Sequence, residues 1–224
     1  NVEFVGHPLV DIVKSKMTEA EANAFVGKQD DRKLILIMPG SRLMEIEKML
    51  PTLLEAAKLI KKQLPEVDFV MPRAGSIPLQ LLEEKIKASG ISVKITEGNN
   101  YDLFSVADLA LATSGTVTLE AALCGLGSVI VYRTNPLTYF IAKLVVNIPY
   151  IGLPNIVAGK SVLPELIQDD FTPEKVAKEA MSLLERERNA KMKEDLAYVK
   201  ERLGKPGAVG RVAELVLKIA GEKK

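Results

Sequence analysis

The sequence is poor in the residues that most often carry redox and metal chemistry. Its 224 residues include one cysteine, Cys124, one histidine, His7, and no tryptophan. One cysteine cannot form an internal disulfide, which suits a reducing compartment. A single His and a single Cys leave no His/Cys zinc cluster within the chain. An excess of one charge is also lacking: 30 basic residues stand against 29 acidic ones, a net of +1. That balance argues against a general nucleic-acid surface and leaves room for a local cluster holding one phosphate group. No apolar run reaches the roughly 18 residues of a membrane-spanning helix, and no signal-peptide pattern is visible. The chain begins at Asn1 in the middle of a patterned stretch and is read as a fragment of a longer protein.

What is present is a core and an alternating pattern. Apolar residues make up 47% of the chain. The organising stretch is Leu34-Ile35-Leu36-Ile37-Met38-Pro39-Gly40-Ser41-Arg42. Four consecutive large apolar residues predict a strand covered on both faces, as in a parallel α/β sheet. Pro39 and Gly40 end it in a sharp turn, and Ser41 is placed to cap the next helix. Backbone N–H groups at such a helix start attract an anion, and Arg42 adds a bidentate donor. An ordinary turn with a surface arginine is the competing reading.

Residues 2–5 read as a strand ending at Gly6-His7-Pro8, followed by a short helix at residues 9–16 and a charged linker with a helix at 19–26. After the strand at 34–38, apolar positions Ile46, Met49, Leu50, Leu53, Leu54, Ala57 and Ile60 predict a one-sided helix that Pro51 kinks or divides. Further strands are expected at 67–71, 91–95, 109–112 and 129–132. Helices are expected between them: 77–88, capped by Ser76, then 101–106 and 116–123. This order is that of a doubly wound parallel sheet, in which ligands lie beyond the carboxyl ends of the strands. Three more helices are expected at 173–187, 190–203 and 208–220. The domain division that follows is an interdomain strand and linker at 1–30, a Rossmann-like domain at 31–170 and C-terminal helices at 171–224.

Four other constellations carry candidate chemistry. Ser114-Gly115-Thr116 follows a strand, and Glu120 lies one turn into the next helix, where a carboxylate can accept from two sugar hydroxyls. The alternative is a helix start whose Glu120 only favours the dipole. Arg133, after the fifth strand, is within reach of the same cleft or lies in a solvated turn. Asn155 in Leu153-Pro154-Asn155 bonds a ligand or a plain turn. His7 is either structural or catalytic. The apolar run at 136–148, from Leu137 to Val146 in its densest part, is either a core helix or an exposed patch that touches lipid.

Taken together the motifs are specific. Val5-Gly6-His7-Pro8-Leu9, Met38 to Arg42, Ala112 to Glu120, Val131-Tyr132-Arg133-Thr134-Asn135-Pro136 and Gly152-Leu153-Pro154-Asn155-Ile156 occur in this order. The chain resembles the C-terminal half of the bacterial lipid-A-disaccharide synthases over nearly its whole length. The resemblance implies one half of a GT-B fold and a transferase that joins UDP-2,3-diacylglucosamine to 2,3-diacylglucosamine 1-phosphate, releasing UDP. It implies no metal and no cofactor. It assigns the UDP-sugar to Gly40, Ser41, Arg42, Ser114, Gly115, Thr116, Glu120, Arg133 and Asn155, with Arg42 stabilising the leaving diphosphate. The general base is expected in an N-terminal half outside this chain. The partners so implied are the two lipid substrates, the missing half, a second copy in a homodimer, and the cytoplasmic surface of the inner membrane, touched near Leu137 to Val146. Two alternatives remain open: another UDP-sugar enzyme of this half-fold, an epimerase or N-acetylglucosaminyltransferase, and a nucleotide-binding or membrane-docking module without catalysis.

Overall fold

The computed structural model describes residues 2–29, 31–135, 139 and 149–221. The expected helix at 136–148 therefore lies outside the described residues, apart from Tyr139. The described residues form one six-stranded sheet of order β3-β2-β1-β4-β5-β6 with every pairing parallel. The strands are β1 (Lys33–Met38), β2 (Val67–Arg73), β3 (Lys94–Glu97), β4 (Leu109–Thr113), β5 (Ser128–Tyr132) and β6 (Glu165–Ile167). The helices are α1 (Leu9–Ile12), α2 (Glu19–Val26), α3 (Leu43–Gln63), α4 (Leu79–Ser89), α5 (Asn100–Val106), α6 (Thr116–Leu123), α7 (Leu153–Ala158), α8 (Pro173–Leu184), α9 (Arg186–Arg202) and α10 (Ala208–Gly221), with one 3-10 turn at Gln168–Asp170. Among them no helix is long and apolar enough to cross a membrane.

The continuous apolar run of β1 is explained by burial on both faces. Ile35 and Ile37 point into one core, shared with α3, α8 and α9 through Leu50, Leu53, Val176, Ala180, Leu196 and Val199. Leu34, Leu36 and Met38 point into a second core, shared with α2 and α5 through Ala22, Val26, Leu103 and Phe104. β4 divides in the same way, Leu109 and Leu111 to the first core, Ala110 and Ala112 to the second.

Several expectations need correction. Residues 2–5 form no strand, because no strand lies beside them to share hydrogen bonds; Val2 and Phe4 are exposed and the Val5 carbonyl instead accepts from Arg211 Nε at 2.8 Å. The first helix ends at Ile12. Pro51 does not divide α3: it sits on the solvent side, where the Glu47 carbonyl that its ring leaves without a donor can be met by water. β3 starts at Lys94, since pairing begins at Val70↔Lys94, while Ile91 and Val93 pack ahead of it. β6 was not anticipated; three residues with one core side chain, Leu166, show no period. Ser76 is not a cap. Pro78 precedes α4, and Ser76 Oγ donates to the Ser41 carbonyl at 2.8 Å.

The linker before β1 is pinned. Asp102 of α5 is buried, and its Oδ1 accepts from Ser15 Oγ at 2.7 Å, Lys16 N at 2.6 Å and Met17 N at 2.8 Å. Burial alone would raise this carboxyl's pKa, but the bonds from Met17, Ser15 and Lys16 outweigh it and hold the pKa below its usual value. A depressed folded-state pKa stabilises above the unfolded value, about 3.9, and that stabilisation is lost as pH falls through the folded-state pKa. Asp102→Ala should lower the unfolding free energy at pH 7 by about 2 kcal/mol in urea titration, and the gap to the wild type should narrow below about pH 4. A gap that does not change with pH would assign the loss to packing alone.

Candidate functional site

The strand order reverses between β1 and β4, the point where open parallel sheets leave a crevice for ligands. The turns after both strands open there. A cleft of about 380 Å³ is lined by Gly40, Ser41, Arg42, Glu45, Thr113, Ser114, Gly115, Thr116 and Glu120, with Pro72, Ala74 and Asn100 at its sides. Seven of the nine predicted residues therefore meet in one place: three from the first turn, three from the second, and Glu120.

The first turn is shaped by Gly40. Its φ is +115°, and a Cβ there would lie 2.6 Å from Glu45 Cβ and still closer to the Glu45 carboxylate. The turn needs a glycine because Glu45 lies beneath it. Glu45 Oε2 accepts from Ser41 N at 2.8 Å and from Arg42 N at 3.3 Å, and Oε1 accepts from Arg42 Nη1 at 2.7 Å. Ser41 is thus not the helix cap that its position predicts. Arg42 precedes the first turn of α3, and the carboxylate of Glu45 reaches back to the N–H groups of the turn, as in a capping box. The Arg42 side chain remains 80% exposed at the mouth of the cleft.

The second turn is open. Gly115 precedes α6 and offers no side-chain cap, so the first N–H groups of that helix are left for another acceptor. Its φ of 164° is ordinary extended backbone. Ser114 is held on two sides, N donating to the Val131 carbonyl at 2.9 Å and Oγ to the Ile151 carbonyl at 3.1 Å. Thr113 is 3% exposed, and its Oγ1 has no hydrogen-bond partner among the described residues. Glu120 is half-buried, and no hydrogen bond reaches its carboxylate among the described residues; burial raises its pKa. It is an acceptor available to a ligand hydroxyl.

Two predicted residues lie elsewhere. Arg133 turns away from the cleft. Its guanidinium carbon lies 4.8 Å from the Phe171 ring centroid, Nη2 donates to the Phe171 carbonyl at 2.5 Å, and Nη1 donates to Thr52 Oγ1 at 3.4 Å. Asn155 is 0% exposed. Its Nδ2 donates to the Leu163 carbonyl at 2.8 Å and Glu165 Oε1 at 2.7 Å, while Oδ1 accepts from Val162 N at 2.8 Å and Leu163 N at 2.9 Å. An amide has two donors and two acceptor positions, so none is left for a ligand. His7 is also outside the cleft; Nδ1 accepts from Leu9 N at 3.2 Å. Burial pushes the Cys124 thiol up to about 11, so it is no nucleophile at neutral pH.

Sequence reasoning missed Glu45, Thr113 and Asn100. A glutamate three positions after a turn residue is the capping-box spacing, a signal that points to Glu45. Thr113 carries no signal beyond ending a strand. Among the described residues no group of three or more His, Cys, Asp or Glu is placed to hold a metal ion.

Residues 1–218 match the family model for lipid-A-disaccharide synthetase. The lipid-A-disaccharide synthase of Geobacter sulfurreducens is 41% identical over 223 residues, which cover 99% of this chain and 58% of that protein. The one from Trichlorobacter lovleyi is 42% identical over 217 residues, 96% of this chain and 57% of its own length. Among solved structures, the UDP-GlcNAc 2-epimerase of Neisseria meningitidis bound to UDP-GlcNAc shares the fold, with a TM-score of 0.58 at 18% identity over 89% of this chain and 48% of that one. This chain thus spans little more than half the length of the relatives it matches, and its sheet corresponds to one half of a GT-B fold. The family model runs over nearly every residue and the identity exceeds 40% along the same span, so the chain belongs to the lipid-A-disaccharide synthase family.

Proposed function

We propose that this chain binds the UDP part of UDP-2,3-diacylglucosamine for a glycosyltransferase of lipid A assembly. The sugar passes to the 6-hydroxyl of 2,3-diacylglucosamine 1-phosphate, and UDP leaves. The observation that carries this reading is the meeting of two βα turns and one unpartnered carboxylate in a single cleft at the reversal of strand order. Support also comes from the names of the relatives, each a lipid-A-disaccharide synthase.

The roles follow from charge. As the acceptor oxygen forms its bond to the anomeric carbon, the bond from that carbon to the diphosphate oxygen breaks. The electron pair goes to the diphosphate. Arg42 and the N–H groups at the start of α6 meet that growing negative charge, and fixed donors of this kind lower the barrier. Thr116 offers its hydroxyl to the same oxygens. Glu120 accepts from the ribose hydroxyls. A base takes the acceptor's proton; the family resemblance puts it in the other half of the fold. Arg133 and Asn155 have no part in contacting the nucleotide in this reading.

We also place the protein on the cytoplasmic face of the inner membrane, where both lipid substrates reside, with the run from Leu137 to Val146 as contact. The apolar side chains exposed on α10 (Val209, Val212, Val216, Leu217 and Ile219), with Val2 and Phe4, support cover by the other half of the fold or by a second copy. The epimerase reading rests on fold likeness alone.

Calorimetric titration with UDP tests the site. Arg42→Ala should weaken UDP by about 1.5–3 kcal/mol, the scale of a charged hydrogen bond. Unchanged affinity removes Arg42 from the site. Glu120→Ala should weaken UDP by more than it weakens inorganic pyrophosphate. Equal loss for both ligands rules out the ribose role.

A further inference from the structure

Three donors of the first turn are already in use. Ser41 N, Arg42 N and Arg42 Nη1 all donate to one carboxylate, that of Glu45. These are the groups that an incoming phosphate would take. A carboxylate is an anion of similar hydrogen-bonding habit, so it and a phosphate oxygen compete for the same places. The seat is built for it: Gly40 has no Cβ, and any Cβ would fall on the Glu45 side chain. The Glu45 side chain itself is only 18% exposed, whereas Arg42 is open to the cleft.

Thr113 also lines the cleft; it is almost wholly buried, and its Oγ1 has no hydrogen-bond partner among the described residues. A buried hydroxyl with no partner costs free energy.

We infer that Glu45 is a built-in competitor of the diphosphate: its carboxylate holds the donors of residues 41 and 42 while the cleft is empty and gives them up when a nucleoside diphosphate binds. The empty turn is then never left with orphan donors, and the bound diphosphate is held against a charge that favours its release. The inference rests on the proposed phosphate site and deepens it. It sets the sign of an effect. If Glu45 only shaped the turn, its amide analogue would serve nearly as well, since Gln keeps an acceptor oxygen for the two N–H groups. If Glu45 helped to bind phosphate by aiming Arg42, removing its charge would weaken binding. A competitor behaves in the opposite way.

The test is titration of the full chain and its Glu45→Gln variant with inorganic pyrophosphate, UDP and uridine. The variant should bind pyrophosphate and UDP about five- to tenfold more tightly, the net scale of one ordinary hydrogen bond, since Gln still competes through a neutral oxygen, and uridine with unchanged affinity. Equal or weaker binding of both phosphates overturns the inference, as does an equal gain for uridine. Should the variant fail to fold, the wild type still decides: saturating pyrophosphate should shift the ¹³C resonance of the Glu45 carboxyl. A resonance that stays put at saturation overturns the inference. Failure of the folded wild type to bind either phosphate ligand overturns the phosphate site itself, and this inference with it; binding that Glu45→Gln leaves unimproved overturns this inference alone.

Discussion

The pairing of β1 with β4 is the constraint on which the site depends. Each strand buries alternate residues in two separate cores, so neither can slip by one residue without turning a whole face the wrong way. The register runs from Ile35↔Leu109 to Met38↔Ala112. Adjacent strands lie about 4.8 Å apart, so the two turns that follow emerge side by side. They come from sequence positions more than seventy residues apart, and only this register brings Gly40 beside Ser114. The chain then leaves β1 toward β2 and leaves β4 toward β5, in opposite directions along the sheet. That divergence opens the cleft.

The two turns solve the problem of orphan helix donors differently. Before α3 the N–H groups of Ser41 and Arg42 are held from within by Glu45; before α6 no side chain caps the helix. The cleft therefore carries two carboxylates of different use. Glu45 holds three donors. Glu120 accepts from none among the described residues, and burial raises its pKa. Negative side chains are no contradiction in the diphosphate site proposed above. A neutral ribose end needs an acceptor, and a product must leave.

What the sequence showed best were elements with their own punctuation. α2 carries Thr18 and Glu21 as a capping box and Gly27 in the left-handed conformation behind it. α6 lies between Gly115 and the turn at Cys124 and Gly125. The run from Leu34 to Ile37 fixed the central strand, because only a strand covered on both faces tolerates it. What did not show were features decided by distant neighbours. β6 exists because β5 offers it an edge, not because three residues have a pattern. Residues 2–5 have the composition of a strand and no edge to join. Arg133 follows a strand at the level of the cleft, but the Phe171 ring and carbonyl are better partners than open solvent. Glu45 carries the capping-box spacing, but its close fit beneath the turn depends on the positive φ of Gly40, which spacing does not show.

Asn155 shows how a motif residue can matter to a cleft it does not enter. Its amide ties Val162, Leu163 and Glu165 together. Glu165 in turn accepts from Ile151 N and Gly152 N, each at 2.9 Å. Gly152 fits there only because it has no side chain: a Cβ would stand 2.5 Å from Ile130 Cδ1 and 3.0 Å from Glu165 Oε1. The Ile151 carbonyl, fixed by this arrangement, takes the bond from Ser114 Oγ. The Gly-Leu-Pro-Asn stretch thus reaches the second turn of the cleft through Glu165, Ile151 and Ser114. A change at Asn155 would strand buried polar groups and loosen that turn together, and so mimic the loss of a ligand contact without being one. Spacing in a sequence marks both kinds of residue alike, and only the hydrogen bonds tell which of them holds the ligand and which holds the loop.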